Sequence, residues 1–253
     1  MNKTRLCRIS SPVFLILIWY AVAAFINAPL ILPYPHSVLL RLFELAETTL
    51  FWKAFLFTFL RVIIAFVISI ITGFFSGLLA ADSKCFAAFL EFPLELLRAT
   101  PVIALILPAL FWFTSDIVPV FVSVLMNLPI IITASQKGFE KNPENVEKLF
   151  KAGSRGFTGF SAFFYIRLPA AMPAFLTGME SSFGLTWKVV AAGEVLSIPH
   201  HAAGSLMQQA QVHLESADVL AVTLALVIIS YICQKLLNVT RIRFSYGKSI
   251  KKN

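Results

Sequence analysis

The residues with the clearest chemical potential are ionisable groups inside an otherwise apolar stretch. Glu180, Trp187 and Glu194 recur every seven residues, so a continuous helix places them on one stripe. Gly184 and Lys188 lie beside that stripe. A charge deep in a bilayer costs roughly 2.5–3.5 kcal/mol, so such residues face protein or water. We predict that these five residues line a polar path for a solute. The alternatives stay open: Glu180 and Lys188 could pair with neighbouring helices, and Glu194 could lie in water.

No catalytic or nucleotide-binding motif accompanies these residues. The chain contains no GxxxxGK[ST] phosphate loop, no HExxH and no GxSxG. Its three cysteines are far apart, and no cluster of acidic or cysteine residues accompanies His200, His201 and His213. We therefore predict that the protein is not an enzyme and that it binds no metal and no cofactor of its own.

Composition identifies the environment that must hold these groups. The chain is 58% hydrophobic and 13% charged, with a mean hydropathy of +0.82, whereas a soluble domain is roughly half apolar and a quarter charged. A membrane-spanning helix needs about 20 apolar residues. Six segments qualify, at residues 12–32, 62–81, 99–113, 117–136, 168–197 and 219–237. We predict an all-α polytopic membrane protein with six transmembrane helices. We read the first segment as a retained helix rather than a signal peptide, with Pro12 in its first turn.

The distribution of positive charge predicts the orientation. If the N-terminus is cytoplasmic, 17 of the 21 lysines and arginines lie on the inner side, and only Arg41 and Lys53 lie clearly outside. Both termini are then cytoplasmic. Membrane topology explains the net charge of +8, so contact with lipid is expected and a nucleic-acid partner is not. Arg61 falls within the membrane region, where we expect it to pair locally or to reach the outer interface; contact with a solute is the alternative.

Several local patterns predict how the helices are arranged. Residues 37–46 form an amphipathic stretch that we assign to a short helix on the outer surface. Gly73 and Gly77 form a small-xxx-small pair suited to close helix packing. Pro101 and Pro108 predict bends in the third segment. A polar stretch around Gly204 predicts a re-entrant or surface segment at the outer mouth.

The longest cytoplasmic stretch, residues 138–167, has features of a docking loop. Residues 157–165 are amphipathic, with aromatic side chains suited to a groove in a soluble partner. A proline at position 169 then fits the first turn of the next membrane helix.

This loop resembles the signature of permease subunits of bacterial ABC importers: Glu-Ala-Ala, three residues, Gly, nine residues, Ile-x-Leu-Pro. The positions that agree are Ala152, Gly156, Ile166, Leu168 and Pro169. Phe150 stands where the family has Glu, and Lys151 replaces the first Ala. Glu147, one helical turn earlier, is the candidate replacement for the missing carboxylate.

Further motifs resemble the nitrate, taurine and alkanesulfonate branch of that family. They are LPYP at residues 32–35, TFLR at 58–61, LRATP at 97–101 and TWKVVAAGE at 186–194. Together they cover roughly residues 30 to 240.

The resemblance implies a type I importer permease fold in the bacterial inner membrane. It implies a homodimer of this chain with two ABC ATPase subunits and an extracytoplasmic solute-binding protein. Residues 138–167 would be the ATPase-coupling loop within a permease domain of residues 58–240. Residues 1–57 would form the first helix and the outer-surface helix, and residues 241–253 a basic cytoplasmic tail. The cargo class implied is nitrate, taurine or sulfonates, or a pyrimidine or thiamine precursor.

Two other classes of protein remain as alternatives. An ion-gradient-driven secondary transporter or channel would need no ATPase and often shows paired repeats, and we find no repeat in the sequence. A membrane enzyme would need a catalytic constellation, and none is visible.

Overall fold

The computed structural model describes residues 3–140 and 163–246, and it describes side chains for residues 10–140, 163–165 and 167–237. This part of the chain is helical and contains no strand. The helices are α1 (Lys3–Ile26), α2 (Pro35–Ala46), α3 (Thr49–Asp82), α4 (Lys84–Ala99), α5 (Val102–Trp112), α6 (Val118–Glu140), α7 (Leu168–Ser197), α8 (Ala203–Val212) and α9 (Ser216–Tyr246). A π-helical turn, Phe163–Arg167, leads directly into α7.

The centre of the bundle is a layer of three long helices, in which α6 packs against both α3 and α7. Small residues permit this packing. A methyl group built on Gly73 would overlap Ile131 of α6, and one built on Gly77 would lie 2.7 Å from the carbonyl oxygen of Ile132. The predicted role of the two glycines in close packing is therefore confirmed. Apolar side chains from α3, α7, α8 and α9 fill the largest core cluster.

Replacing Gly77 by leucine is expected to lower the free energy of unfolding by about 1–3 kcal/mol, because the new side chain must push α3 away from α6. Titration with SDS of the protein in detergent micelles measures this change. Thr72→Leu is the control, since Thr72 lies on the exposed face of the same helix. Equal unfolding midpoints for the two variants would show that the α3–α6 contact does not depend on glycine.

The predicted helix boundaries agree well for two helices and less well for two others. The fifth segment, residues 168–197, coincides with α7, and the predicted surface helix matches α2. By contrast, α3 begins at Thr49 rather than near residue 62, with Thr48 accepting a capping hydrogen bond from the Phe51 backbone N–H. Pro12 is not in a first turn, because α1 extends nine residues before it.

The third predicted segment is a pair of helices. The axes of α4 and α5 differ by 102° across a break of two residues, and Pro101 is the N-cap of α5. The bend predicted at Pro101 is confirmed. Pro108 lies inside α5, which continues through it, and the local bend expected there stays a prediction.

Three described helices are long and apolar enough to cross a membrane: α3, α6 and residues Ser216–Leu237 of α9. The bent α4–α5 pair would be a fourth span. Of the other two predicted segments, α1 contributes a shorter apolar helix, Ser10–Ile26. The 30 residues of α7 reach about 45 Å at 1.5 Å per residue, which is long enough to span, although its polar residues make it less apolar.

The short helix α2 is held against the start of α9 by charge. Arg41 donates two hydrogen bonds to the carboxylate of Asp218, with distances of 2.5 Å from Nε to Oδ1 and 2.6 Å from Nη2 to Oδ2. This hydrogen-bonded pair raises the pKa of Arg41 above its ordinary value. The contact fixes α2 beside one end of the bundle, which also carries Glu194.

Candidate functional site

A buried carboxylate organises the end of the bundle where α7 stops. Glu194 is fully buried, and three donors surround its side chain. Thr58 Oγ1 donates to Oε2 at 2.8 Å, Arg61 Nη1 donates to Oε1 at 3.0 Å, and the Gly204 backbone N–H donates to Oε2 at 3.1 Å. The last donor belongs to the first turn of α8, where the helix dipole also favours negative charge. Glu194 thus ties α3, α7 and α8 together.

Arg61 extends this cluster to the loops around it. Its guanidinium donates to the carbonyl oxygen of His201 at 2.9 Å and forms a short ion pair with Asp116, which precedes α6. The side chain of Arg61 is only 8% exposed, whereas that of Asp116 is 64% exposed. The prediction that Arg61 pairs locally is confirmed. The buried position of Glu194 also excludes the alternative that its carboxylate lies in water.

The close packing around Glu194 explains why position 204, which contacts it, is a glycine. A methyl group on Gly204 would lie 2.7 Å from the backbone nitrogen of Val195 and 2.8 Å from the carbonyl oxygen of Ala191. Ile198 ends α7 in a left-handed conformation, with φ of 50°, and turns the chain back toward α8. The cluster therefore closes this end of the bundle. We refer to this end of the bundle as the Glu194 end.

A second buried polar group joins α6 to α7 within the apolar layer. Asn127 Nδ2 donates to Thr186 Oγ1 at 2.9 Å, and Ser182 Oγ donates to Asn127 Oδ1 at 2.7 Å. All three residues are fully buried. Hydrogen bonds of this kind between membrane helices contribute modestly to stability but fix which helix faces which. Sequence reasoning missed Asn127, although an amide inside an apolar segment is itself a signal.

The predicted path residues do not meet in one cavity. Trp187 and Lys188 line a cavity of about 450 Å³ between α7, α8 and α9. Gly184 lies beside Gln234 of α9, whose Nε2 would be 2.7 Å from an added methyl group. Glu180 is half-buried, and Glu194 belongs to the cluster described above. That these residues line a solute path stays a prediction.

A larger cavity of about 680 Å³ lies on the other side of α7, against α4 and α6. Its lining includes small residues of α7, Gly178 and Ser181, and charged residues of both signs. Arg98 contributes its guanidinium and donates to Thr133 on α6. Among the described residues, no group of three or more His, Cys, Asp or Glu side chains is placed to hold a metal ion.

The opposite end of the bundle is held together by Arg167, and we refer to it as the Arg167 end. Arg167 forms an ion pair with Asp82, the last residue of α3, through two hydrogen bonds. The bond from Nη1 to Oδ2 measures 3.2 Å. Its guanidinium carbon also lies 5.6 Å from the ring centroid of Phe139 on α6. The turn that precedes α7 is thereby fixed to the ends of α3 and α6.

The predicted coupling positions fall partly beyond the described chain. Glu147, Phe150, Ala152 and Gly156 lie outside the described residues. For Ile166 only the backbone is described, within the π-helical turn. Leu168 and Pro169 form the start of α7, and Pro169 lies in its first turn as predicted.

Long apolar helices, a bent helix pair and polar groups buried between helices define a polytopic α-helical membrane protein. The sequence profile of one family, "Binding-protein-dependent transport system inner membrane component", matches residues 70–239. Because this match covers more than half of the chain, the protein belongs to that family of transport permeases.

Individual relatives are similar over most of their length. The taurine transport system permease protein of Escherichia coli is 25% identical over 231 residues, covering 87% of this chain and 82% of the relative. The formylaminopyrimidine transport permease protein of Halalkalibacterium halodurans is 29% identical and covers 72% of each chain. A putative aliphatic sulfonates transport permease protein of Escherichia coli is 26% identical, covering 78% of this chain and 73% of the relative.

Proposed function

We propose that this chain is the membrane-spanning subunit of an ATP-driven importer for a small solute. The observation that carries the proposal is family membership over residues 70–239, which include the five signature positions from Ala152 to Pro169. The chain would act as a homodimer with two copies of an ABC ATPase and an extracytoplasmic solute-binding protein. The chemical work of ATP hydrolysis would belong to the ATPase chains.

The charge distribution supports an orientation for the bundle. The Arg167 end and both termini would face the cytoplasm, where positive residues concentrate. The Glu194 end and α2 would face the outside of the bacterial inner membrane. Residues 141–162 would then be available to the ATPase.

The contacts at the Arg167 end support a route for coupling. Arg167 joins the turn before α7 to Asp82 of α3 and to Phe139 of α6. A displacement of the preceding loop by closing ATPases would therefore reach three helices of the central layer together. The helices would shift between outward-open and inward-open arrangements, and ATP binding would change the balance between these two states.

The names of the relatives support a cargo class. The three relatives described above are named for taurine, formylaminopyrimidine and aliphatic sulfonates. We infer a small solute of the nitrate, taurine or sulfonate class or the pyrimidine or thiamine-precursor class.

Purification from native membranes in mild detergent tests the proposal. We expect an ATPase carrying a GxxxxGK[ST] loop to copurify, and we expect vesicles containing the complex and its binding protein to take up solute only with ATP. Uptake by vesicles that contain this chain without an ATPase, driven by an ion gradient, would contradict the proposal and favour a secondary transporter.

A further inference from the structure

The cavity between α7, α8 and α9 has the size and the lining of a small-molecule site. Its volume of about 450 Å³ falls within the roughly 300–1,000 Å³ typical of ligand pockets. Most of the lining is apolar, from two alanines and one valine of α7, Met207 of α8, and Leu226 and Val227 of α9. Lys188 is the charged residue of the lining, and no acidic residue contributes to it.

Lys188 lacks a counterion among the described side chains. It lies nine residues before the end of α7, which places it about 14 Å along the helix from the Glu194 end. No hydrogen bond or ion pair to Lys188 occurs in the described part of the chain. The side chain of Lys188 is exposed in the single chain, so its ammonium group is accessible to water and to a ligand of negative charge.

The adjacent residue supplies a second unpaired donor. Trp187 is 3% exposed and lines the same cavity, and its indole Nε1 has no hydrogen-bond partner in the described structure. An indole N–H can only donate, and so can an ammonium group. Both residues line the same cavity, so the cavity presents two donors that need acceptor oxygens from a ligand or from water. Gln234 and Ser230 of α9 add polar groups across the cavity.

We propose that this cavity binds a compact organic anion, a sulfonate or carboxylate with a short apolar body. Lys188 neutralises its charge, the indole N–H of Trp187 donates to one of its oxygens, and the alanine- and valine-rich walls contact its apolar part. A cation is disfavoured because Lys188 would repel it and no carboxylate is present in the lining. This assignment rests on the proposed function, since it makes the cavity a site on the route of the imported solute.

Binding of 1-butanesulfonate to the full chain in dioleoylphosphatidylcholine nanodiscs tests the assignment by isothermal titration calorimetry. We expect saturable binding of butanesulfonate and none of butyltrimethylammonium, which has a similar body and the opposite charge. Lys188→Gln should raise the Kd at least about tenfold, whereas Lys188→Arg should retain binding. Trp187→Phe keeps most of the ring, removes the donor and should raise the Kd about threefold or more.

The matched control is Lys235→Gln, which removes an exposed lysine of α9 outside the cavity lining and should leave the Kd unchanged. Equal binding of the cation, or an unchanged Kd in Lys188→Gln, would overturn the assignment. So would loss of butanesulfonate binding when half of the lipid is dioleoylphosphatidylglycerol, because the site would then belong to a lipid headgroup. These outcomes are separate from copurification of an ATPase, so the site can fail while the transport proposal stands.

Discussion

Replacing Glu194 by alanine is expected to lower the free energy of unfolding by about 3–5 kcal/mol, the usual cost of breaking a buried ion pair. Glu194 is fully buried, and the Arg61 side chain is only 8% exposed, so water cannot replace the lost carboxylate. The substitution also leaves the Thr58 hydroxyl and the Gly204 N–H without their acceptor. Three helices would lose a shared contact together.

SDS titration in detergent micelles measures the change, and two further variants make it interpretable. Asp116→Asn removes the other acidic partner of Arg61, but that side chain is 64% exposed, so a loss of at most about 1 kcal/mol is expected. Arg61→Met combined with Glu194→Met removes both charges and should recover part of the loss. If Glu194→Ala does not accumulate in a folded form, Glu194→Gln provides the measurable variant. A loss below about 1 kcal/mol in either Glu194 variant would show that the cluster is not a structural centre.

This cluster also shows where sequence reasoning stops. Arg61 and Glu194 each attract attention alone, as charges in apolar segments, but they are 133 residues apart and nothing in their spacing pairs them. The need of a buried charge for a partner predicts that pairs exist. Which two residues form such a pair depends on how α3 and α7 pack. That packing is decided by contacts along the full length of both helices.

The helices themselves were more accessible to sequence reasoning. The limits of α7 could be predicted because Pro169 suits a first turn and a proline follows closely after Ser197. The start of α3 could not, because Lys53, Thr58 and Arg61 make its first half read as a polar connection. The structure buries Thr58 and Arg61 against Glu194, so polar residues that suggest a loop are instead internal contacts.

The candidate path illustrates the same limit at the level of a site. Residues spaced seven apart share one face of a single helix, whereas a cavity forms between at least two helices. The sequence could place Trp187 and Glu194 on a common face of α7, but α9 covers one part of that face and α8 covers the other. The stripe is therefore divided between a cavity and a buried ion-pair cluster.

The largest functional effect is expected at the proposed coupling loop, residues 138–167, where Gly156→Glu should abolish solute uptake while the protein still folds. In importers that this sequence resembles, the corresponding glycine lies in the segment that docks on the ATPase. A glutamate there would place a bulky charge in a closely packed interface, and a central interface residue of this kind can change affinity by at least about tenfold. The helical bundle should keep its stability, because Arg167 still holds the end of the loop to Asp82 of α3 and to Phe139 of α6.

Three measurements on reconstituted vesicles separate coupling from folding: ATP-dependent uptake, the amount of ATPase that copurifies, and the SDS unfolding midpoint. For Gly156→Glu we expect the first two to fall and the third to remain unchanged. Gly153→Glu is the matched control, since it adds the same side chain to the same loop at a position that does not match the family signature, and it should retain more uptake. Normal ATP-dependent uptake in Gly156→Glu would contradict the assignment of residues 138–167 as the coupling loop, because a closely packed interface could not accommodate that change without weakening the contact with the ATPase.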